Sequence, residues 1–178
     1  MATQTIERAG LVTARGNPIT LLGPELRVGD TAPETHLVGS NMAVNTLDDL
    51  TDHGNRAALL IVVPSLDTPT CAIESRKFNQ RLGELPAGVK PYIVSMDLPF
   101  AMARWCGAQG EVKLEMLSDY RDRGFGQNYG LLIAELGLLA RAVVVIGKDR
   151  RISYVQIVPE IASEPDYDAA VKAAAAAA

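Results

Sequence analysis

The sequence predicts an α/β fold in which helices flank a central mixed sheet and a β-hairpin precedes the sheet. Three short runs, at 57–63, 90–96 and 142–146, predict core strands, and the first and last consist mostly of branched apolar residues, as in strands that are buried on both faces. A helical pattern separates the first two runs, so a parallel strand–helix–strand unit is expected there. The turn at 147–150 and the alternating segment at 152–157 then predict an antiparallel hairpin.

Ahead of the first buried strand, residues 11–22 predict the N-terminal hairpin, because two apolar segments flank turn-forming residues at 15–18. Other short elements in this part are strands at 35–38 and 42–45 and one helical turn at 47–50, which Thr46 can cap. The chain of 178 residues fits one domain over 1–178, with 172–178 as a low-complexity alanine tail.

The helices of the second half are bounded by proline and glycine signals. The crossover helix begins with Thr68 as N-cap and Pro69 as its first residue, and it is expected to end at 85–88. Pro99 opens a second, short helix that ends at Cys106-Gly107. The remaining predictions are a strand at 114–117, one or two helical turns within 118–129, and a last helix from about Asp166.

Composition excludes several classes of function. A net charge of −4 and a pI near 5.2 argue against a surface for nucleic acid or for anionic lipid. No apolar run approaches the roughly 20 residues that span a bilayer, and residues 1–10 show no secretory signal, so a cytoplasmic location is expected. His36 and His53 have no metal-ligand spacing with the two cysteines, so we predict neither a metal nor a cofactor.

Cys71 is the candidate reactive residue, because it lies in the first turn of the crossover helix at the carboxyl end of a core strand. Free N–H groups and the positive end of the helix dipole favour a thiolate there. The hydroxyl of Thr68 has two possible roles, which are to cap the helix or to bond the sulfur. The alternative for Cys71 is a buried, inert thiol beside an ordinary cap.

Several sequence blocks resemble the thiol peroxidases, the atypical two-cysteine peroxiredoxins of bacteria. Pro64-x-x-x-Thr68-x-x-Cys71 is similar to the active-site pattern of peroxiredoxins, and the likeness continues to Asn79. Further matching blocks, in the same order along the chain, are Met96-Asp97-Leu98-Pro99-Phe100-Ala101 with Trp105-Cys106-Gly107-Ala108, then 140–145 and 164–170. The resemblance covers residues 16–170 and implies a thioredoxin-like fold, which the predicted order of elements matches.

The resemblance also implies roles for five residues. Cys71 would attack a hydroperoxide, Thr68 and Arg141 would stabilise the reacting atoms, and Pro64 would shape the pocket. Cys106 would resolve the sulfenic acid as an intramolecular disulfide, after local unwinding helped by Gly107 and Gly110.

Pro64, Arg141 and Cys106 also have ordinary structural interpretations. For Pro64 the alternative role is to end a strand. Arg141 precedes a strand expected in a parallel part of the sheet, and its alternative is a surface position. The alternative for Cys106 is an apolar side chain packed beside Trp105.

Three classes of function remain open from the sequence. The first is a peroxidase that reduces hydrogen peroxide or alkyl hydroperoxides, uses thioredoxin as its reductant and, by resemblance, forms a homodimer. The second is a thiol–disulfide oxidoreductase, which the absence of a C-x-x-C motif disfavours. The third is a redox sensor or chaperone-like protein that uses the same disulfide as a switch without significant turnover.

Overall fold

A computed structural model describes residues 6–109 and 112–178, and most of its strands form one seven-stranded mixed sheet. The strands, given in their order across this sheet, are β4 (Val44–Asn45), β3 (Leu37–Gly39), β7 (Glu115–Ser118), β6 (Val89–Ser95), β5 (Ala57–Val62), β9 (Ala142–Ile146) and β10 (Ile152–Ile157). β5 is parallel to β6, as the strand–helix–strand pattern predicts, and β6 is also parallel to β7.

The strand that follows Arg141 runs opposite to the expected direction. β9 is antiparallel to β5, with Ala142 opposite Val62, and it forms the predicted hairpin with β10. The expectation that Arg141 precedes a strand of a parallel sheet is therefore wrong. The antiparallel direction has a direct consequence, because it places the start of β9 beside the carboxyl end of β5.

The N-terminal hairpin is confirmed and is longer than predicted. β1 (Glu7–Ala14) and β2 (Asn17–Leu22) are antiparallel, and β2 also pairs with β8 (Leu132–Ile133), a two-residue strand that the sequence analysis did not find. This small sheet packs on its own apolar cluster. The carboxylate of Glu160 holds the hairpin turn, where it accepts hydrogen bonds from the backbone N–H groups of Arg15 and Gly16.

The helices cover both faces of the seven-stranded sheet. Their bounds are α1 (Leu47–Leu50), α2 (Pro69–Gln80), α3 (Pro99–Gln109), α4 (Gly124–Asn128) and α5 (Tyr167–Ala176). Side chains of β5 alternate between the two sides, with Leu60 in one apolar cluster and Ile61 in the other. The second cluster also holds Cys71 and buried residues of α2, α3 and α5.

Two helix ends differ from the prediction. α2 ends at Gln80 rather than at 85–88, because the chain tightens into a 3₁₀ turn at Leu82–Glu84 after Arg81. α3 continues to Gln109, so Gly107 does not end it and Cys106 lies within the helix. A glycine inside a helix costs about 1 kcal/mol relative to alanine, which neighbouring packing readily outweighs.

The alanine-rich end of the chain is helical through Ala176. Asp166 caps α5 by accepting a hydrogen bond from the Ala169 N–H, and Ala170 and Ala174 are fully buried against the sheet. Small side chains allow this helix to approach the sheet closely, which accounts for the alanines that pack there.

Candidate active site

Cys71 occupies the position that the sequence predicts, in the first turn of α2 beyond the end of β5. Thr68 is the N-cap and Pro69 the first residue of the helix. The Cys71 side chain is fully buried, and its thiol is free. The loop between β5 and α2 therefore delivers a sulfur atom to the carboxyl edge of the sheet, beside the positive end of a helix.

The hydroxyl of Thr68 bonds the sulfur and does not cap the helix. Its Oγ1 lies 2.7 Å from the Cys71 Sγ and 2.9 Å from the carbonyl oxygen of Ser65, and it makes no capping hydrogen bond. A hydroxyl carries one proton, so it can donate to only one of these atoms at a time. With Cys71 as a thiol, the hydroxyl donates to Ser65 and accepts from the sulfur. With Cys71 as a thiolate, it donates to the sulfur.

When the Thr68 hydroxyl turns from the Ser65 carbonyl to the sulfur, both acceptors keep a hydrogen-bond donor. The carbonyl of Ser65 also accepts the backbone N–H of Thr68 at 3.1 Å, so it keeps one hydrogen bond when the hydroxyl turns to the sulfur. The loop is thus compatible with both protonation states of Cys71.

Arg141 is buried, with 1 % of its surface exposed, and it reaches the same sulfur. Its Nη2 lies 3.2 Å from the Cys71 Sγ, its Nε donates to the Ile161 carbonyl at 2.9 Å, and its Nη1 contacts the Glu74 carboxylate. Burial alone would lower the pKa of the guanidinium. The negative charges of Glu74 and Cys71 outweigh this effect, so the pKa of Arg141 lies above its usual value. The surface interpretation of Arg141 is wrong for this structure, because the antiparallel β9 places the residue inside the site.

Glu74 is a member of the site that the sequence analysis missed. It is fully buried one helical turn after Cys71, and its Oε2 contacts Arg141, while Oε1 has no protein partner in the described part of the chain. Burial raises the pKa of Glu74 to about 7, and the positive charge of Arg141 opposes this rise. A signal was present in the sequence, since the buried residues of α2 follow the spacing of one helix face: Cys71, Glu74, Ser75 and Phe78.

A second unpredicted residue, Asp97, fixes the loop that carries Thr68. Its carboxylate accepts hydrogen bonds from the Ser65 hydroxyl, the Leu66 N–H and the Ser95 hydroxyl, each at 2.8 Å. Asp97 stands two residues before the start of α3, at the end of β6. The loop before Cys71 and the start of the helix that carries Cys106 are therefore joined through one side chain.

Pro64 is buried and lines a cavity of about 460 Å³ that also touches Thr68 and Arg141. The proline lies two residues after Val62, the last residue of β5, and its side chain forms part of the cavity wall. Phe100 and Trp105, which belong to the block around Cys106, are not among the residues that line this cavity.

Cys106 is half-buried and lies on the same side of the sheet as Cys71, where it packs against the same apolar cluster. Its sulfur contacts the Met116 Sδ at 3.2 Å, and burial raises the pKa of its thiol. Trp105 is buried beside it, as one of the alternatives anticipated. Gly107 lies within α3, and Gly110 falls outside the described residues.

Residues 6–109 and 112–178 contain neither a cluster of metal ligands nor a helix that could span a membrane. Neither cysteine nor any histidine belongs to a group of three or more side chains with the arrangement of a metal site in this part of the chain. None of the helices described is both long and apolar enough to cross a bilayer.

Comparison with known proteins identifies the family. Residues 27–171 match the Redoxin family. The thiol peroxidase of Clostridium acetobutylicum is 45% identical over 93% of this chain and 98% of its own length, and that of Bacillus subtilis is 40% identical over 93% and 96%.

Solved structures agree with this relationship. A peroxiredoxin-like protein from Aquifex aeolicus superimposes with a TM-score of 0.83 at 42% identity and covers 96% of both chains. A thiol peroxidase from Chromobacterium violaceum shares the fold, with a TM-score of 0.80 at 22% identity, over 90% of this chain and 93% of its own. The chain belongs to the Redoxin family and, within that family, to the thiol peroxidases.

Proposed function

We propose that this protein is a thiol-dependent peroxidase in which Cys71 reduces hydrogen peroxide and alkyl hydroperoxides. The observation that carries the proposal is the double contact of the Cys71 sulfur, with the Thr68 hydroxyl at 2.7 Å and the Arg141 guanidinium at 3.2 Å. A donor and a fixed positive charge on one buried sulfur stabilise its thiolate, which is the nucleophilic form.

In the first step the Cys71 thiolate attacks the terminal oxygen of the hydroperoxide. The sulfur–oxygen bond forms as the oxygen–oxygen bond breaks, and sulfur is oxidised to a sulfenic acid. The leaving group, an alkoxide or, from hydrogen peroxide, a hydroxide, takes up a proton to give an alcohol or water. Negative charge moves from sulfur to the leaving oxygen during this step. Arg141 and Thr68 adjoin the sulfur, so their hydrogen-bond donors can stabilise the negative charge first on the sulfur and then on the leaving oxygen.

Glu74 acts through Arg141 and is a positioning residue. Together with the Ile161 carbonyl it holds the guanidinium through the two nitrogen atoms that do not contact the sulfur. Pro64 bounds the pocket and limits the access of water to the sulfenic acid.

In the second step Cys106 resolves the sulfenic acid. Its thiol sulfur bonds the Cys71 sulfur, water leaves, and one intramolecular disulfide forms. A disulfide requires Cα atoms about 4.4–6.8 Å apart. Here Cys71 is held inside α2 by Thr68 and Arg141, whereas Cys106 lies in α3 against Met116. Local unwinding of one or both helices is therefore part of the proposed cycle.

The remaining parts of the proposal concern the protein's partners. Thioredoxin supplies the dithiol that reduces the Cys71–Cys106 disulfide and becomes oxidised itself, which restores both thiols. We further propose a homodimer and a cytoplasmic location, where a reducing environment keeps the enzyme ready for the next peroxide.

A coupled assay with thioredoxin, thioredoxin reductase and NADPH tests the proposal. The wild-type protein should consume NADPH continuously when peroxide is added. Cys71→Ser should abolish this activity, and Cys106→Ser should form sulfenic acid once and then lose steady turnover. A Cys106→Ser variant that turned over with thioredoxin at the wild-type rate would contradict the resolving role. A wild-type protein that formed the disulfide without sustained turnover would instead favour a redox switch.

A further inference from the structure

A second cavity lies between α2 and α3, the helices that carry the two cysteines. The volume of this α2–α3 cavity is about 190 Å³, which corresponds to about six water molecules at their share of the liquid volume. α2 contributes Ser75, Arg76 and Asn79 to its wall, and α3 contributes Trp105 and Gln109. The cavity at Cys71 is lined by none of these residues, so the two cavities are separate.

Ser75 brings to the α2–α3 cavity a buried hydroxyl that has no hydrogen-bond partner in the described part of the chain. Only 1 % of this residue is exposed, yet its side chain lines the cavity. A buried polar atom without a partner costs free energy, and nearly all such atoms in native proteins have one. A polar group that enters the cavity can therefore supply the partner that the Ser75 hydroxyl lacks.

Among the described residues that line the α2–α3 cavity, only Arg76 is charged. Its Nη1 donates to the Gln109 Oε1 at 2.9 Å, and no carboxylate in residues 6–109 and 112–178 forms an ion pair with it. A guanidinium has several further N–H donors, which remain available to another acceptor. Glu74, the acidic residue of α2, contacts Arg141 and does not line this cavity. The described lining therefore carries a positive charge, which favours an anion.

Trp105 and Val112 give the same cavity an apolar surface. The indole ring of Trp105 is a flat face on which another planar group can pack. We propose that the α2–α3 cavity binds a small aromatic carboxylate. The carboxylate accepts hydrogen bonds from the Ser75 hydroxyl and the Arg76 guanidinium, and the ring packs against Trp105.

Such a ligand contacts both cysteine-bearing helices at once, so it also regulates the proposed peroxidase. This part of the inference rests on the proposed function, in which the disulfide forms only after local unwinding. A ligand that binds only the intact helices opposes their unwinding by a factor of 1 + [L]/Kd. It should leave the attack of Cys71 on peroxide unchanged, because the α2–α3 cavity contacts neither Thr68 nor Arg141.

Titration of the reduced protein with benzoate tests binding in the absence of peroxide. Trp105 is the only tryptophan in the chain, so tryptophan emission reports on this cavity. Benzoate should change the emission with a Kd on the order of 1 mM, as expected for so small a ligand. Benzamide has the same ring and no charge, so it should bind at least about threefold more weakly.

Variants of the two polar residues test how the carboxylate is bound. Arg76→Gln should weaken benzoate binding about three- to fivefold and leave benzamide within about twofold. Ser75→Ala should weaken benzoate binding about two- to tenfold, while the free energy of unfolding of the free protein stays the same or rises, because an unpaired buried hydroxyl is removed. Arg104→Gln is the matched control, since Arg104 is an exposed arginine of α3 that does not line the cavity, and it should bind benzoate like wild type.

The binding site is overturned if benzoate leaves Trp105 emission unchanged well above the expected Kd, if benzamide binds equally well, or if Arg104→Gln weakens binding as much as Arg76→Gln. The regulatory part predicts that benzoate at ten times its Kd slows disulfide formation about tenfold and leaves the rate of sulfenic acid formation unchanged. An unchanged rate of disulfide formation would overturn that part. Failure of the proposed peroxidase function would remove the disulfide step and leave the benzoate titration intact, so the two failures are distinguishable.

Discussion

The hydrogen bond from Thr68 to the Cys71 sulfur should be worth one to two orders of magnitude in the rate of peroxide reduction. Thr68→Val removes the hydroxyl and keeps the shape of the side chain. A hydrogen bond to a charged group contributes about 1.5–3 kcal/mol, which corresponds to about a tenfold to hundredfold change in rate. The fold itself should lose little, since the Ser65 carbonyl keeps the N–H of residue 68 as a donor.

Single-turnover measurements of peroxide reduction by Thr68→Val, Thr68→Ser and wild type separate this effect from misfolding. Serine retains the hydroxyl and should stay within severalfold of wild type, whereas valine should be slower by the factor given above. Urea unfolding should place the free energy of unfolding of the valine variant within about 1.5 kcal/mol of wild type. A valine variant that reacts at the wild-type rate would refute the role assigned to Thr68.

Three further predictions concern the surroundings of the sulfur. Because burial raises the pKa of Glu74 to about 7, the wild-type free energy of unfolding should fall relative to Glu74→Gln as pH rises from 4.5 to 7. Urea titrations at pH 5 and pH 8 measure this, and a pH-independent difference would contradict it. Asp97→Asn weakens the bonds to Ser65 and Leu66, so it should cost about 1–2 kcal/mol of stability and slow sulfenic acid formation. Unchanged unfolding and unchanged single-turnover rates would argue against this role. One equivalent of peroxide should give wild-type protein an intramolecular Cys71–Cys106 disulfide, seen as faster migration on a non-reducing gel, whereas Cys106→Ser, which keeps one cysteine, should form sulfenic acid at the wild-type rate. Oxidised wild-type protein that kept its Cys106 thiol free would contradict the resolving role.

The position of Cys71 at the start of α2 could be predicted because its signals are local. A buried apolar run, a Thr-Pro helix start and a cysteine three residues after the cap fix the position of Cys71 within a few residues of chain. The same applies to the strand–helix–strand unit and to the two hairpins. The hairpin strands pair with residues that are close in sequence, and each element of the strand–helix–strand unit has a local apolar pattern of its own.

The rest of the site depends on contacts between distant segments. Arg141 reaches Cys71 only because β9 is antiparallel to β5, and the sequence of β9 alone does not specify that direction. Its apolar run has the same composition in either orientation, since both faces are buried. The resemblance to thiol peroxidases predicted Arg141 as a site residue, whereas its position before a strand did not.

Glu74 and Asp97 were missed for a different reason. A glutamate within a polar stretch of helix is most often exposed, and only its spacing from Cys71 and Phe78 indicates the buried face. Asp97 lies in a turn between two elements, where aspartate is common. The hydrogen bonds of Asp97 depend on the loop before Cys71 lying beside the end of β6, an arrangement that the sequence does not specify.

Mass spectrometry of the Cys106→Ser protein after one equivalent of peroxide tests the central claim most directly. We expect one oxygen atom on the peptide that contains Cys71, trapped as sulfenic acid, and no oxygen when Cys71 is also replaced by serine. Oxygen on methionine with Cys71 left as a thiol would contradict the assignment of Cys71 as the peroxide-reducing residue.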